Sequence, residues 1–255
     1  MLQDKAGWLA AEIRLFFTAL MFFTRLPCPA WVGYSESYLN HSARYFPLVG
    51  VIVGGIGGLT FWLAQLIWPP SIAVLLSMLA TIAVTGAFHE DGLADSCDGF
   101  GGGWGKEQVL AIMKDSRLGT FGAIGLGLIL ALKFLALTHA PTDILPLLLI
   151  AGHSLSRFAA ATFIYTHQYV REDAQSKARP LAQQMSRGEV IVAGLFGLSP
   201  LLLLESRFLL LIMPVFVMRW LLGRYFVKRI GGYTGDCLGA AQQVAEVVFY
   251  LFALV

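Results

Sequence analysis

Apolar residues form long, nearly uninterrupted runs along this chain, and polar residues gather in the short segments between them. Seven runs have a length close to the about 17–25 residues that a membrane-spanning helix needs. They are 46–68, 71–88, 118–138, 144–165, 189–204, 208–227 and 237–255. None alternates with the period of two that a membrane β-strand shows. Because only helices and closed barrels span a bilayer, the pattern predicts an all-α polytopic membrane bundle of about seven spanning helices.

An eighth apolar stretch, residues 9–23, is interrupted at its middle by Glu12 and Arg14. We interpret it as an N-terminal helix that lies in the membrane interface. A secretory signal is the alternative, since Lys5 precedes the stretch, but the two charges break the apolar region and no small-residue cleavage site follows. No linker divides the chain, so residues 1–255 are predicted to form a single integral-membrane domain.

The composition agrees with a membrane protein. Hydrophobic residues make up 57% of the chain, charged residues 13%, and the mean hydropathy is +0.69. Soluble domains contain roughly 45–50% apolar residues, so the composition excludes an ordinary soluble enzyme. The net charge of +2 gives no reason to expect nucleic acid as a partner. Cys28, Cys97 and Cys237 have no metal-type spacing and imply no disulfide framework.

The positions of Lys and Arg between the runs predict the orientation in the membrane. With the N-terminus in the cytoplasm, one set of connections carries ten basic residues and the opposite set carries only Arg207. Connections rich in Lys and Arg stay on the cytoplasmic side. We therefore expect a multi-pass protein of the cytoplasmic (inner) membrane. The ten residues are Arg44, Lys106, Lys114, Arg117, Arg171, Lys177, Arg179, Arg187, Lys228 and Arg229.

An acidic cluster follows the second run, on this cytoplasmic side. Asp91, Asp95 and Asp98 are spaced i, i+4 and i+7, so on a helix their carboxylates share one face within about 60° of arc. Carboxylate oxygens suit Mg²⁺, which commonly bridges protein carboxylates to substrate phosphates. His89 stands beside them, and the five glycines of residues 99–105 would let backbone amides approach an anion. The alternative is a solvated helix extension, but we favour a metal site.

A second polar motif follows a short helix predicted over 107–114. Lys114 and Arg117 could hold phosphate oxygens, Arg117 as a planar fork and Lys114 as a point charge. Anchoring at the head of a span is an equally good explanation for Lys114, and a weaker one for Arg117. In the third motif, residues 231–236, Asp236 either caps the last span or completes the metal or nucleotide site together with Thr234.

Four of the charged residues within the runs lie away from the run ends. Charges are costly in hydrocarbon, so these side chains should face the bundle interior or water. We expect Arg157 and Arg219 to be phosphate-facing cations, and Lys133 to extend toward the far membrane surface. The fourth is Glu246. The glycines of the first and third runs are predicted to let helices pack closely.

Four separated motifs resemble the signatures of the cobalamin synthase family, adenosylcobinamide-GDP ribazoletransferase, in order and spacing. They are HEDGLADSCDG (89–99), IMKDSRLG (112–119), TRLP (24–27) and TGDCLGA (234–240). The resemblance covers almost the whole chain and leaves only 171–187 unassigned. It implies a Mg²⁺-dependent step in which α-ribazole, or its 5'-phosphate, attacks the cobinamide-side phosphorus of adenosylcobinamide-GDP and releases GMP.

The resemblance and the residue chemistry together imply the following roles. Asp91, Asp95 and Asp98 hold the metal, Lys114 and Arg117 bind phosphate, and Arg157, Thr234 and Asp236 line the substrate. His89 or Asp115 is the expected base, with Arg117 beside it at the reacting group. Membrane lipid surrounds the protein, and a homo-oligomer is left open.

Two rival functions belong to other classes. A membrane transferase for CDP-alcohols or prenyl pyrophosphates would use similar acidic motifs, and it would open laterally to lipid. A transporter would use the acids as an ion relay, but transport acids lie near the bilayer midplane on broken helices, whereas these lie at the surface. We rate transport well below transfer.

Overall fold

The computed structural model describes residues 2–33, 35–171 and 184–255, and within them the chain is helical with no β-strand. Short 3₁₀ turns link several of the helices, and Tyr169 and Tyr233 form an isolated parallel bridge. The α-helices are α1 Leu2–Phe23, α2 Glu36–Ser42, α3 Phe46–Ala64, α4 Pro70–Thr85, α5 Phe88–Gly102, α6 Lys106–Lys114, α7 Thr120–His139, α8 Leu145–Thr166, α9 Arg187–Leu198, α10 Ile212–Ile230 and α11 Gly235–Phe252.

Each of the seven apolar runs contains a helix, which confirms the all-α membrane bundle. Within the described residues, four helical stretches are long and apolar enough to span a membrane, or five if the bent pair α4–α5 is one span. The estimate of about seven is therefore higher than length and composition support. The α9 helix ends after 12 residues and continues as a 3₁₀ turn, and α4 has only 16 residues.

Helix α8 lies at the centre of the bundle, and 89% of its most apolar stretch is buried. The glycines of α3 bring this helix against it: a Cβ at Gly50 or Gly54 would overlap the α8 backbone at His153 or Ile150. The Ser154 hydroxyl donates to the backbone carbonyl of Phe196, at 2.8 Å. Close packing through small residues was the predicted role of these glycines, and it is confirmed.

The chain bends by 88° between α4 and α5. Gly86 and Ala87 both adopt left-handed backbone conformations there, with φ of 66° and 60°. Such a conformation costs a residue with a Cβ about 1–2 kcal/mol, so surrounding contacts hold Ala87 in place. The bend lays α5 across the end of the bundle where α7 and α11 begin, and we do not count α5 as a spanning helix.

The N-terminal helix α1 packs one face against the bundle, where Thr18, Ala19 and Phe23 are buried. Its central acid is paired: Tyr45 donates its hydroxyl hydrogen to Glu12 at 2.6 Å, and Arg44 lies 3.4 Å from the same carboxylate. The helix is not among the candidate spans found in the described residues. Its interfacial position stays a prediction.

Candidate active site

Helices α5 and α11 cross at two glycines. A Cβ at Gly92 would lie 3.1 Å from the Cα of Asp236, and a Cβ at Gly239 would lie 3.0 Å from the carbonyl oxygen of His89. Both distances are tighter than ordinary van der Waals contact, so side chains at these positions would push the helices apart. The crossing brings the first turn of α11 against the acidic face of α5.

The side chains of Asp91, Asp95 and Asp236 interact electrostatically beside this crossing, and we call these three residues the carboxylate group. Asp91 is exposed, Asp95 and Asp236 are partly buried, and Arg171 donates to Asp236 at 2.8 Å. Burial, followed by the nearby charges of Asp236 and Asp91, raises the pKa of Asp95 to about 7. Burial and Asp91 also raise the pKa of Asp236, while Arg171 opposes the rise. Like charges held together in this way are typical of functional sites.

The carboxylates fit a hard cation in donor chemistry, because Asp91, Asp95 and Asp236 offer oxygen ligands and their repulsion is relieved by positive charge. They are not gathered around one point. In the described ranges, no three His, Cys, Asp or Glu side chains lie close enough to hold a metal ion together. The donor chemistry therefore suits a hard cation, while the described side chains do not converge on one point.

Asp98 has a structural role that the sequence did not reveal. Its carboxylate accepts backbone hydrogen bonds from Gly119 at 2.7 Å and from Gly122 at 2.8 Å, and the side chain is buried. These amides belong to the first turn of α7, whose own N-cap residue is a glycine without a capping side chain. Asp98 therefore caps α7 from a neighbouring helix. Both of its oxygens are occupied, which argues against the predicted metal role.

The glycine-rich segment 99–105 also differs from its predicted role as an anion-binding loop. The first four of its residues continue α5, which ends at Gly102. A Cβ at Gly99 would press on Met113, and one at Gly103 would press on Val109. Both glycines therefore let the predicted short helix, α6, pack closely against the end of α5.

The motif after α6 stays at the surface. Arg117 is 87% exposed in its side chain and pairs with Asp115 at the loop before α7. Hydrogen bonds from Arg117 lower the pKa of Asp115 to about 2. A carboxyl group with this pKa accepts a proton poorly near neutral pH, so Asp115 is a weak candidate for the base in this state. Lys114, at the last position of α6, is also exposed.

His89 and Arg157 face the bundle interior. The ring of His89 stacks on Phe23, with centroids 5.3 Å apart and planes 10° from parallel. Arg157 donates to the backbone carbonyl of His153 at 3.0 Å, and its Nε finds no partner among the described residues. His89 and Arg157 line one narrow cleft, together with Phe88 and Gly239 of the helix crossing.

Thr234 and Asp236, at the start of α11, have different roles. The Thr234 hydroxyl is buried and accepts a hydrogen bond from the backbone amide of Cys237, so Thr234 caps the helix. Asp236, in the first turn of α11, lies near the acidic face of α5 and accepts a hydrogen bond from Arg171. The choice that the sequence left open is therefore resolved in favour of Thr234 as the cap, with Asp236 at the carboxylate group.

A buried polar network extends from the crossing into the bundle. Gln243 donates to Glu90 at 3.0 Å and to Gln242, which in turn donates to Glu246. Lys133 lies 2.5 Å from Glu246 and is only 2% exposed in its side chain. The expectation that Lys133 extends to the far surface is therefore wrong. It faces inward because Glu246 offers a charge partner, whereas hydrocarbon offers none.

Arg219, like Arg157, is expected from the sequence to face phosphate. It lies on α10, where its Nε donates to the Thr162 hydroxyl at 2.9 Å and its guanidinium covers the ring of Phe163. It is not part of the carboxylate group. Lys177 and Arg179, used in the topology argument, and most of segment 171–187 lie outside the described residues.

Sequence reasoning missed three contributors to the site region: Arg171, Glu90 and Gln243. Arg171 and Asp236 are 65 positions apart, and Gln243 and Glu90 are 153 apart. Spacing within one helix cannot signal such pairs. An intramembrane Gln pair beside an acid was the one available hint, because polar groups in a spanning helix need partners.

Comparison with known proteins identifies the family. The family model described as cobalamin-5-phosphate synthase matches residues 15–254. The chain belongs to the cobalamin-5-phosphate synthase family. The resemblance of the four motifs is thereby confirmed, and the chain is an enzyme of the transferase class.

Two relatives show how far the similarity extends. The chain is 50% identical over 259 residues to a protein of Shewanella frigidimarina named adenosylcobinamide-GDP ribazoletransferase, with 99% of this chain and 98% of the relative covered. A Ralstonia pickettii protein of the same name is 49% identical over 236 residues, covering 91% of each. No solved structure matches the chain.

Proposed function

We propose that this protein joins adenosylcobinamide-GDP to α-ribazole, or to α-ribazole 5'-phosphate, and releases GMP. The similarity at 50% identity over nearly the full length to a named ribazoletransferase carries the proposal. The carboxylate group of Asp91, Asp95 and Asp236 beside Arg171 supports it. Transfer at a pyrophosphate needs cations that neutralise the phosphate oxygens, and carboxylates can hold a metal cation for this purpose.

The bond changes follow from the substrates. A ribose hydroxyl of α-ribazole forms a new bond to the cobinamide-side phosphorus, and the bond from that phosphorus to the bridging oxygen breaks. GMP leaves with the bridging oxygen, and the hydroxyl proton passes to a base. In this proposal the base is a carboxylate beside the crossing, because Asp115 is held at a low pKa by Arg117 and His89 is buried against Phe23.

The proposed metal is Mg²⁺, and Asp91, Asp95 and Asp236 would hold it. When bound, it would neutralise charge on the pyrophosphate oxygens. Arg171 replaces Arg117 as the proposed phosphate-binding cation, since it already lies against Asp236, whereas Arg117 is paired at the exposed loop. Asp98 is proposed to keep α7 in place beneath the site.

We place the protein in the cytoplasmic membrane. The distribution of Lys and Arg favours the cytoplasmic membrane with the carboxylate group facing the cytoplasm, where nucleotide substrates occur. His89 and Arg157 would then line the inner wall of the site at the helix crossing. Oligomeric state is left outside the proposal.

The test uses the full chain purified into liposomes with adenosylcobinamide-GDP and α-ribazole. GMP and cobamide are separated by chromatography, with Mg²⁺ or with a chelator present. Asp236→Asn is compared with Asp143→Asn, a matched change at an exposed acid that has no assigned role. Binding of Mn²⁺ is measured separately by calorimetry, so that a metal defect is seen without turnover.

We expect both products from the wild type only with divalent metal, loss of product and of Mn²⁺ binding in Asp236→Asn, and neither loss in Asp143→Asn. A folded wild-type protein that releases no GMP under any metal would refute the activity, and the CDP-alcohol or prenyl-pyrophosphate reaction would then be assayed. Equal activity in Asp236→Asn would leave the reaction standing and remove the site.

A further inference from the structure

The outer side of α10 carries a groove rich in basic residues. It has a volume of about 570 Å³ and runs between the end of α8 and the second half of α10. Its polar and aromatic lining, here named the basic groove, consists of His167, Arg219, Trp220, Arg224, Tyr225 and Lys228. Among the residues that the structure describes, no acidic side chain lines it. The basic groove is separate from the carboxylate group at the α5–α11 crossing.

Arg224 and Lys228 are four positions apart and share one face of α10, and Trp220 lies on the same face four positions before Arg224. Arg219 lies about 140° around the helix from Arg224 and lines the groove from the side of α8, where it contacts Thr162. Gly223 lies between Arg219 and Arg224 in the chain, and a Cβ there would lie 2.9 Å from the ring of His167. The missing side chain therefore deepens the groove between α8 and α10.

The cations are positioned by groups that leave their charge uncompensated. Arg219 is fixed by Thr162 and by the ring of Phe163, and Arg224 lies 5.0 Å from the centre of the Trp220 ring. Across the described part of the chain, none of Arg219, Arg224 and Lys228 forms a salt bridge with a carboxylate. Positive charges with no acid paired to them in the described residues favour an anion, and guanidinium groups suit phosphate.

The surroundings identify which phosphate compound fits. The spanning stretch Ser206–Ile230 is only 22% buried, so its apolar residues face lipid. Trp220 and Tyr225 are exposed, and these residue types mark the membrane–water interface. Exposed Val217 and Leu221 continue the same helix into the apolar region. A soluble nucleotide would leave this apolar surface unused, whereas a phospholipid would cover it with its acyl chains.

We propose that the basic groove is a binding site for the phosphate headgroup of an anionic phospholipid. The headgroup phosphate lies between Arg224 and Lys228, which share one face of α10, and the acyl chains lie along the exposed apolar side of the helix. Basic pockets between membrane helices at the cytoplasmic surface bind such lipids in general. The site would tie the end of α10, and through it the turn before α11, to the lipid surface.

The experiment uses the purified full chain in a neutral detergent and does not depend on turnover. Phosphatidylglycerol and phosphatidylcholine of the same short chain length are titrated separately, and bound lipid is counted by native mass spectrometry. The variant is the pair Arg224→Gln with Lys228→Gln. The matched control is Arg187→Gln, which removes an exposed cation at the start of α9 outside the groove. Circular dichroism in neutral lipid checks that all forms fold.

We expect phosphatidylglycerol to bind the wild type at least tenfold more tightly than phosphatidylcholine. Each juxtamembrane cation contributes about 1 kcal/mol to binding of anionic lipid, so the double variant should lose about thirtyfold, and Arg187→Gln should lose little. Equal loss in Arg187→Gln would show bulk attraction and overturn the site. Undiminished binding by the folded double variant would overturn it too.

A second arm separates lipid from free phosphate. Inorganic phosphate is added to the complex with phosphatidylglycerol at constant ionic strength. We expect it not to displace the lipid, because the acyl chains supply part of the binding. Displacement by millimolar phosphate would show a general phosphate site and overturn the assignment to a phospholipid.

Discussion

Replacing Asp98 separates the capping role seen in the structure from the metal role expected from the sequence. The carboxylate accepts two backbone hydrogen bonds, from Gly119 and Gly122, and is buried. Hydrogen bonds to charged groups contribute about 1.5–3 kcal/mol each, and loss of a single-bond cap costs about 0.5–2 kcal/mol. Since water can enter at a helix terminus, we expect Asp98→Ala to lower the free energy of unfolding by about 2–4 kcal/mol.

The assay is reversible denaturation in mixed micelles, followed by circular dichroism, with hydrogen exchange at the first turn of α7. Asp98→Asn keeps one acceptor oxygen and should lose about half as much, roughly 1–2 kcal/mol. Asp91→Ala is the control, because Asp91 is an exposed acid on the same helix. It should change stability by less than about 0.5 kcal/mol and should weaken Mn²⁺ binding.

The two roles of Asp98 give opposite results. If Asp98 caps α7, Asp98→Ala exposes the amides of Gly119 and Gly122 to exchange and leaves Mn²⁺ affinity nearly unchanged in the folded fraction. If Asp98→Ala instead keeps its stability and loses Mn²⁺ binding as Asp91→Ala does, the capping argument is wrong. The original assignment of three α5 aspartates to the metal would then return.

Three further predictions concern the network, the crossing and pH. Glu246→Gln should destabilise the protein by about 3–5 kcal/mol in the same denaturation assay, because it leaves Lys133 buried without its charge partner. Gly92→Ala should reduce transferase activity about tenfold or more by displacing α11, with little loss of stability because Ala favours a helix, whereas Gly127→Ala, which meets open space, should leave activity unchanged. Mn²⁺ affinity should rise about tenfold per pH unit up to about pH 7 and then level off, since metal displaces the proton that the raised pKa retains on Asp95; a flat profile would contradict this.

The sequence determined the class of fold because hydrophobic content acts locally. Runs of about 20 apolar residues must become helices in a bilayer, where every backbone hydrogen bond has to form within the segment. The spacing of the acidic residues of 91–98 also predicted that they share one helix, and α5 contains them all. The motifs also carried enough information to identify the family, which the match to residues 15–254 confirms.

The tertiary structure decided which acids act together. Because Asp91, Asp95 and Asp98 share one helical face, the sequence made all three equally good candidates for metal ligands. Only the packing of α7 shows that Asp98 accepts hydrogen bonds from the first turn of α7. Only the close crossing of α5 and α11 brings Asp236 to the other two. Helical period fixes the direction of a side chain within its own helix, whereas the partner across a crossing depends on where two backbones can approach. Residues far apart in the chain, here Gly92 and Gly239, set that approach.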